Sequence, residues 1–306
     1  MGMCVCPQWI IRITHIDKCT VNRLPSTGCG PPEKQGAQGR IFFLFFFIMV
    51  RTKTKTGVFT IAVEEASAER GDTNKKSCIF QQYVQPCLAE LFGTSLFVFV
   101  GCASVIGNVG AAGVIQPAVA HGLALGVLIM VLGQISGGHF NPAVSLSVYL
   151  CGGTGLSLLL PYVLAQMCGG MVGAGLTKVI YPTDVYNASL GGAFNIVNND
   201  LGKTTVAEVI MTLFLTTVVC MGAVNGQTRS PSAPFCIGLT VTANIFAGGT
   251  VSGACMNPAR AFGPAVAANH WNHHWVYWVG PASGALLTVM FIRLLFGDQK
   301  TRVVLK

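Results

Sequence analysis

From about residue 84 onward, long apolar stretches alternate with short breaks of Gly, Pro and polar residues. The pattern lacks the polar face of an amphipathic surface helix. Residues 91–177 contain no Asp, Glu, Lys or Arg at all. A helix that crosses a bilayer needs about 20 apolar residues. The breaks divide the chain into six stretches of that kind, near 84–107, 113–134, 156–179, 204–224, 235–251 and 275–297. Two shorter apolar pieces, 142–150 and 258–268, cannot span. Each begins with Pro-Ala directly after an Asn, and Pro is favoured at the first position of a helix. They read as half-helices that dip in and return. Such a course is tolerated at membrane depth only where protein or a water-filled cavity covers it.

The pattern repeats. Ala89-Glu90 matches Ala207-Glu208 after 118 positions, Asn141-Pro142-Ala143 matches Asn257-Pro258-Ala259 after 116, and Tyr162 matches Tyr277 after 115. The near-constant offset indicates a duplication. Each copy has three spans, an odd number, so the second copy must be inverted in the membrane. Inverted repeats place their shared site near the midplane, with helix N-termini pointing at it. The predicted fold is therefore an all-α membrane protein. It has six transmembrane helices plus two re-entrant half-helices, in two inverted three-helix repeats over about 81–180 and 200–298.

Composition sharpens this. Of the 306 residues, 10% are charged and 52% are hydrophobic, and 37 are Gly. Soluble domains carry about 25% charged residues, and disorder needs low hydrophobicity and high charge. Small residues at high density suit closely packed membrane helices, and GxxxG pairs at Gly122/Gly126, Gly169/Gly173 and Gly280/Gly284 fit a tight bundle. The net charge of +8 is uneven, because residues 1–80 hold 11 Lys+Arg against 6 Asp+Glu. A nucleic-acid partner would want a basic face on a folded domain, and none is visible. A basic tail beside an anionic lipid bilayer fits better.

Residues 1–80 read as a poorly ordered or atypical extension, with a membrane-surface anchor as the alternative. The ten-residue apolar run Ile41 to Val50 is too short to span and begins too late for a signal peptide. Met1-Gly2 invites myristoylation, but Cys6 stands where Ser or Thr belongs. Residues 299–306 read as a cytoplasmic tail. Asn187-Ala188-Ser189, between the third and fourth stretches, is the only N-glycosylation sequon, and its use would place that loop outside the cell. Arg229, Lys300, Arg302 and Lys306 then fall on the cytoplasmic side, as the positive-inside tendency prefers. Twelve cysteines are present, yet no zinc spacing and no disulfide framework emerges. Cys87, Cys102, Cys168 and Cys220 lie in apolar stretches, where they behave as small buried hydrophobes.

The two Asn-Pro-Ala boxes carry the strongest chemical signal. Half-helices meeting N-terminus to N-terminus raise the potential at the midplane, which repels cations and protons. Asn141 and Asn257 can each cap a helix and still offer an amide N–H to a passing water. Two extended rows precede the boxes: Gly137, Gly138, His139 and Phe140, and Gly253, Ala254, Cys255 and Met256. Their glycines suit unusual backbone angles. Arg260 is the only charge between residues 230 and 292. A charge inside a membrane marks function by default, and a fixed Arg lining a narrow passage is one way to exclude cations. Cys255 lies two residues before Asn257 and is a candidate mercurial target.

The boxes in SGGHFNPAV and SGACMNPAR, with YWVGP from Tyr277 to Pro281, resemble the major intrinsic proteins, the aquaporins. The resemblance covers about residues 80–306. VQPCLAE, AHGLALG around His121, CMNPARAFGPAV and ANHWNHHWVYW bring it closer to one branch of that family. The resemblance implies a homotetramer with a pore in each protomer. It implies that the extended rows expose carbonyls to permeating molecules, and that Glu90 and Glu208 brace those rows through backbone N–H groups. It also implies a constriction formed by His121, Ile245, Ala254 and Arg260. That ring resembles those of ammonia- and peroxide-permeable members.

The expected function is a passive channel for water and small neutral solutes, ammonia and hydrogen peroxide among them, that excludes protons and ions. A glycerol facilitator is the nearer alternative, but such members carry Asp after the second box's Arg, where this chain has Ala261. A non-conducting structural or adhesive protein of the same fold is the other alternative. No nucleophile with a base and no metal cluster suggests an enzyme, and no cofactor is called for. The plasma membrane is the expected location, with an intracellular or inner mitochondrial membrane as the alternative and both termini cytoplasmic.

Overall fold

The computed structural model describes residues 79–111, 113–196, 200–299 and 301–302. The readings of the extension before residue 79, and of Lys300 and Lys306, lie outside the described residues. Among the described residues every regular element is helical.

Three helices and a half-helix form the first repeat. Helix α1 spans Gln85–Ile106 behind a π-turn at Phe80–Val84. It is followed by α2, Ile115–Ser136, the half-helix α3, Pro142–Leu150, and α4, Leu156–Ile180. A short helix, α5, Thr183–Ala188, and a 3-10 turn at Leu190–Gly192 bridge the repeats. The second repeat holds α6, Leu201–Val219, continued by a π-turn at Cys220–Val224, and α7, Ala233–Gly248. It ends with the half-helix α8, Pro258–Ala268, and α9, Val276–Phe291, continued through Phe296.

Both half-helices start and stop where the sequence predicts, because Asn caps and Pro at the first position fix their origins. Five of the long helices, three of them together with an adjoining π-turn, are long and apolar enough to cross a membrane. Helix α7 differs from the expected 235–251. It has 16 residues, about 24 Å at 1.5 Å per residue. It ends at Gly248, whose carbonyl accepts the N–H groups of Val251 and Ser252 in a turn.

The duplication governs the packing. Helix α1 lies on α4 and α6 lies on α9, while α2 and α7 pack on each other between the repeats. Small residues permit the approach. A Cβ on Gly173 would lie 2.3 Å from the Ser95 carbonyl oxygen, and one on Gly284 would lie 2.5 Å from that of Val209. The half-helix α8 packs on α4 and α3 packs on α9, so each half-helix also leans on the last long helix of the other repeat. Large apolar side chains such as Leu123, Val127, Met130, Ile210 and Leu286 face outward.

One sequence expectation is corrected here. Cys102 and Cys220 are buried, but Cys87 is half-buried and Cys168 is exposed. Helices that are apolar all round give no periodic sign of which face is inside. All seven described cysteines are free thiols.

Candidate functional site

The two half-helices meet at their N-termini and are tied to each other. The Asn141 side-chain oxygen accepts the Ala143 N–H at 2.9 Å. The Asn257 oxygen accepts the Ala259 and Arg260 N–H groups at 3.0 and 3.3 Å. Each Asn thus satisfies donors that a helix start leaves open. Each amide then donates across the interface. Asn141 Nδ2 reaches the Met256 carbonyl and Asn257 Nδ2 reaches the Phe140 carbonyl, both at 2.9 Å. A side-chain amide carries two N–H groups, so each Asn keeps one uncommitted. Phe140 and Met256 each have one carbonyl lone pair engaged.

The rows before the boxes follow one backbone path. Gly137, Gly138 and Phe140 have φ of 92°, 66° and 47°, and Gly253, Ala254 and Met256 have φ of 86°, 53° and 54°. A non-Gly residue at positive φ is uncommon, and these two rows hold three, Phe140, Ala254 and Met256. A buried carboxylate holds each path. Glu90, 0% exposed, accepts Ser136 Oγ at 2.6 Å and the N–H groups of His139 and Phe140 at 2.9 and 2.6 Å. Gln166 Nε2 adds a fourth donor at 2.8 Å. Glu208, likewise 0% exposed, accepts Ser252 Oγ at 2.6 Å and the N–H groups of Cys255 and Met256 at 2.8 and 2.7 Å. Tyr162 and Tyr277 donate to the carbonyls of Ser136 and Ser252 at 2.8 and 2.9 Å. Irregular backbone would otherwise bury orphan donors, so acceptors at these points are required.

His121, Ile245, Ala254 and Arg260 line a single cavity together with Asn141 and Asn257. Pro117 offers only a carbonyl to the His121 ring, so the nitrogen 2.6 Å away, Nδ1, carries the proton. The opposite nitrogen, Nε2, then accepts from Arg260 Nε at 3.2 Å. The imidazole is thereby fixed as a neutral tautomer facing a cation. Arg260 is 2% exposed. Its Nη1 donates to the Gly192 carbonyl at 3.1 Å, and its guanidinium carbon lies 4.7 Å from the centre of the Phe194 ring. Phe97 packs edge-on against His121 with ring centres 5.8 Å apart. Gly101 makes room for the pair, since a Cβ there would come within 2.5 Å of His121 Nε2.

The other sequence-predicted residues divide clearly. Gly137, Gly138, His139, Cys255 and Met256 line the same cavity, and Gly253 borders an adjoining one with His121 and Arg260. Phe140 is fully buried in the core instead. The Cys255 side chain is buried with Ala261, Val276 and Tyr277, and its thiol donates to the Asn257 carbonyl at 3.1 Å. Asn187 is exposed on α5. Sequence reading missed Gly101, Gly192, Phe194 and Phe97. Gly101 vacates space beside His121, Phe97 and Phe194 pack on His121 and Arg260, Gly192 gives Arg260 an acceptor, and none belongs to a motif. The Gly191-Gly192 pair of the connecting segment was the one visible sign, since both glycines take positive φ.

Residues 78–292 match the family described as Major intrinsic protein. The chain is 54% identical over 229 residues to Aquaporin-8 of Mus musculus, covering 74% of this chain and 88% of that one. It is 38% identical to Aquaporin-5 of Homo sapiens, covering 74% and 86%, and 38% identical to Aquaporin TIP1-2 of Zea mays, covering 70% and 86%. Among solved structures, the aquaglyceroporin from Plasmodium falciparum superimposes with a TM-score of 0.61 at 22% identity, covering 68% of this chain and 95% of that one. That likeness concerns the fold.

Proposed function

The chain belongs to the major intrinsic protein family, and on that premise we propose that its cavity passes ammonia and hydrogen peroxide as well as water. It is an integral, multi-pass membrane protein and a channel for water and small solutes, of a transporting rather than a catalysing kind. The proposal concerns the solute range and the residues that set it.

The observation that carries it is the neutral imidazole of His121 locked against Arg260. On this reading His121, Ile245, Ala254 and Arg260 form the selectivity filter. Arg260 keeps three of its five guanidinium hydrogens beyond the Gly192 and His121 bonds for solutes, and its charge repels ammonium and other cations. Ile245 and Ala254 give the facing wall no donor and little bulk. A small neutral molecule with a lone pair can bond to Arg260 and slide along that apolar wall. Carbonyls of Gly137, Gly138, His139, Gly253 and Cys255 then replace its lost hydration, with the second lone pairs of Phe140 and Met256 beside the boxes.

Proton exclusion follows from the Asn pair. A water whose oxygen accepts the free N–H of both Asn141 and Asn257 must point its two hydrogens outward. That water cannot relay a proton through itself. The positive ends of α3 and α8 add a barrier of the same sign. Glu90 and Glu208 act as braces, and Cys255 is where a mercurial would plug the path. Residues 81–298 form the channel domain, in a homotetramer whose members each conduct. The exposure of Asn187 supports a glycosylated outer loop, with the termini in the cytoplasm and the plasma membrane as the site of action.

Ammonia entry into proteoliposomes, followed with an internal pH dye, tests the reading, with His121→Phe as the paired variant. Entry above that of empty liposomes, severalfold lower in the variant, is expected. Entry no faster than in empty liposomes overturns the ammonia assignment. A parallel assay with an enclosed peroxide-sensitive dye decides the second solute.

A further inference from the structure

Asp298 stands just past the end of α9 and belongs to no motif discussed so far. Both of its carboxylate oxygens are engaged. Oδ2 accepts the Gly226 N–H at 2.9 Å. Oδ1 accepts the Thr301 N–H at 2.9 Å and the Thr301 hydroxyl. The Asp298 N–H in turn donates to Asn225 Oδ1 at 2.8 Å. Asn225 is buried and carries this stitch inward. Its N–H donates to the Cys220 carbonyl at 2.8 Å, which closes the π-turn after α6. Its Nδ2 donates to Thr228 Oγ1 at 2.8 Å, and Thr228 Oγ1 donates to the Met221 carbonyl inside the same turn. The segment after α9 is thereby sewn to the π-turn after α6.

That turn borders the conducting path. Ala223 lines both the conducting cavity and a second cavity that adjoins it at this end. Val219, Gly137 and His139 are shared by the two cavities in the same way, so the neck between them runs past these four residues. Val224, the last residue of the turn, packs on Gly153 beyond half-helix α3, where a Cβ would lie 2.9 Å from Val224 Cγ1. A π-turn carries an extra residue within its hydrogen-bonded ring, and such turns are frequent at functional sites.

We propose that Asp298 is a positioning residue for permeation: by tying the segment after α9 to the π-turn after α6, its carboxylate holds the neck at Ala223 open. Asp298 touches no permeating molecule in this role and acts through Asn225 and Gly226. Without the carboxylate the stitch opens, and the exposed Gly226 N–H turns to water at little cost to the fold. Ala223 and Val224 are then released beside a cavity whose walls include the apolar Val148 and Leu158. Freed apolar side chains settle on an apolar wall rather than face water, and the neck narrows.

The test uses the full chain in proteoliposomes and reads water permeability by stopped-flow light scattering at several temperatures, normalised to the protein inserted. Water is the probe, so the result is independent of the ammonia and peroxide assignments above. Asp298→Ala removes both acceptors, and Asp298→Asn keeps one acceptor oxygen. Permeability per channel is expected to fall severalfold in Asp298→Ala and less in Asp298→Asn, with the activation energy of permeation rising in the same order. A narrower neck raises that activation energy, whereas a smaller number of working channels leaves it unchanged. Gly226→Pro attacks the same contact from the other side by removing the N–H that Oδ2 accepts, and Asn225, at ψ 119°, suits a following Pro. It should reproduce the Asp298→Ala result. Asp298→Asn and Gly226→Pro carry the test if Asp298→Ala does not insert. Unchanged permeability overturns the proposal. So does a rise in permeability, or a fall at unchanged activation energy.

Discussion

The cavity holds two rings of four residues that the duplication makes equivalent. His121, Ile245, Ala254 and Arg260 form one; their partners 116 positions away, Ile237, Ile129, Gly138 and Val144, form the other. All eight line the same cavity. Around both rings the scaffold is nearly identical: an Asn cap, a cross-tie to the opposite carbonyl, three left-handed residues, a buried Glu and a Tyr. The rings themselves differ completely. One carries a cation and an imidazole, the other only apolar groups and a Gly. Duplication therefore repeats the frame of the cavity, while the cation and the imidazole stand in one copy of it only. Apolar side chains offer a solute no hydrogen bond and no field, so the proposed discrimination by charge would have to come from the ring that holds Arg260.

The sharpest way to break what the halves share is to remove a brace. Glu208→Ala leaves two backbone N–H groups and the Ser252 hydroxyl without an acceptor. Orphaned buried donors cost about 1–3 kcal/mol each, so the three together approach a typical folding free energy of about 5–15 kcal/mol. Glu90→Ala orphans one donor more, Gln166 Nε2, and should do worse. Both variants are expected to lose the monodisperse peak on size exclusion after detergent extraction. A normal peak for either would mean that the loops hold themselves.

Next in size is the variant that makes the two rings alike. Arg260→Val copies Val144 into the second half. Cation and proton leak under a potassium diffusion potential should rise about tenfold or more, because the fixed charge at the constriction is gone. Water permeability should persist. An unchanged leak would move the barrier to the Asn boxes and half-helix ends alone. Gly101→Ala acts on the same ring indirectly: its methyl would meet His121 Nε2, so the His121–Arg260 contact must open. Ammonia entry in proteoliposomes should fall severalfold with the charge barrier intact.

The two caps give a smaller and graded contrast. Asn257 caps two N–H groups and Asn141 caps one. Losing an N-cap costs about 0.5–2 kcal/mol, so Asn257→Ala should lower the thermal midpoint more than Asn141→Ala. Equal shifts would mean that the cross-ties, not the caps, dominate.

These contrasts also show what the sequence could and could not disclose. The half-helices were legible to the residue because Asn and Pro act locally, and the braces were legible through resemblance, on two Glu residues that the repeat offset pairs. The four side chains around Arg260 were named through resemblance, and the structure brings them to one cavity. What holds them was not legible: Gly192 and Phe194 reach Arg260 from the connecting segment, and Gly101 contributes only an absence. Such roles arise from tertiary approach and leave no periodic or motif-like trace. The outward turn of Cys168 was hidden for a related reason, since a helix apolar on every side does not announce its lipid face.

The smallest expected effect comes from the one place where the scaffolds themselves diverge. Gln166 donates to Glu90 and to Ser145, both at 2.8 Å, and His139 lies 3.1 Å from Ser145. The equivalent positions in the second half are Pro281, Ala261 and Cys255, so that half stands without the network. Gln166 also buries a side-chain oxygen with no partner among the described residues. Gln166→Leu forfeits a bond to a charged acceptor, about 1.5–3 kcal/mol, and one neutral bond of about 1 kcal/mol, and relieves an unsatisfied acceptor costing about 1–3 kcal/mol. Those contributions nearly cancel, and the thermal midpoint should move by no more than a few degrees, with water permeability kept. Gln166→Glu is the counterpart that removes the cancellation. It sets a second carboxylate against Glu90 with no donor between them, and like charges that close cannot both ionise without large cost. A severe loss in Gln166→Glu beside a mild one in Gln166→Leu would show that the first half tolerates losing its extra donor but not gaining a charge. A severe loss in both would mean that the first half depends on a support the second half never had.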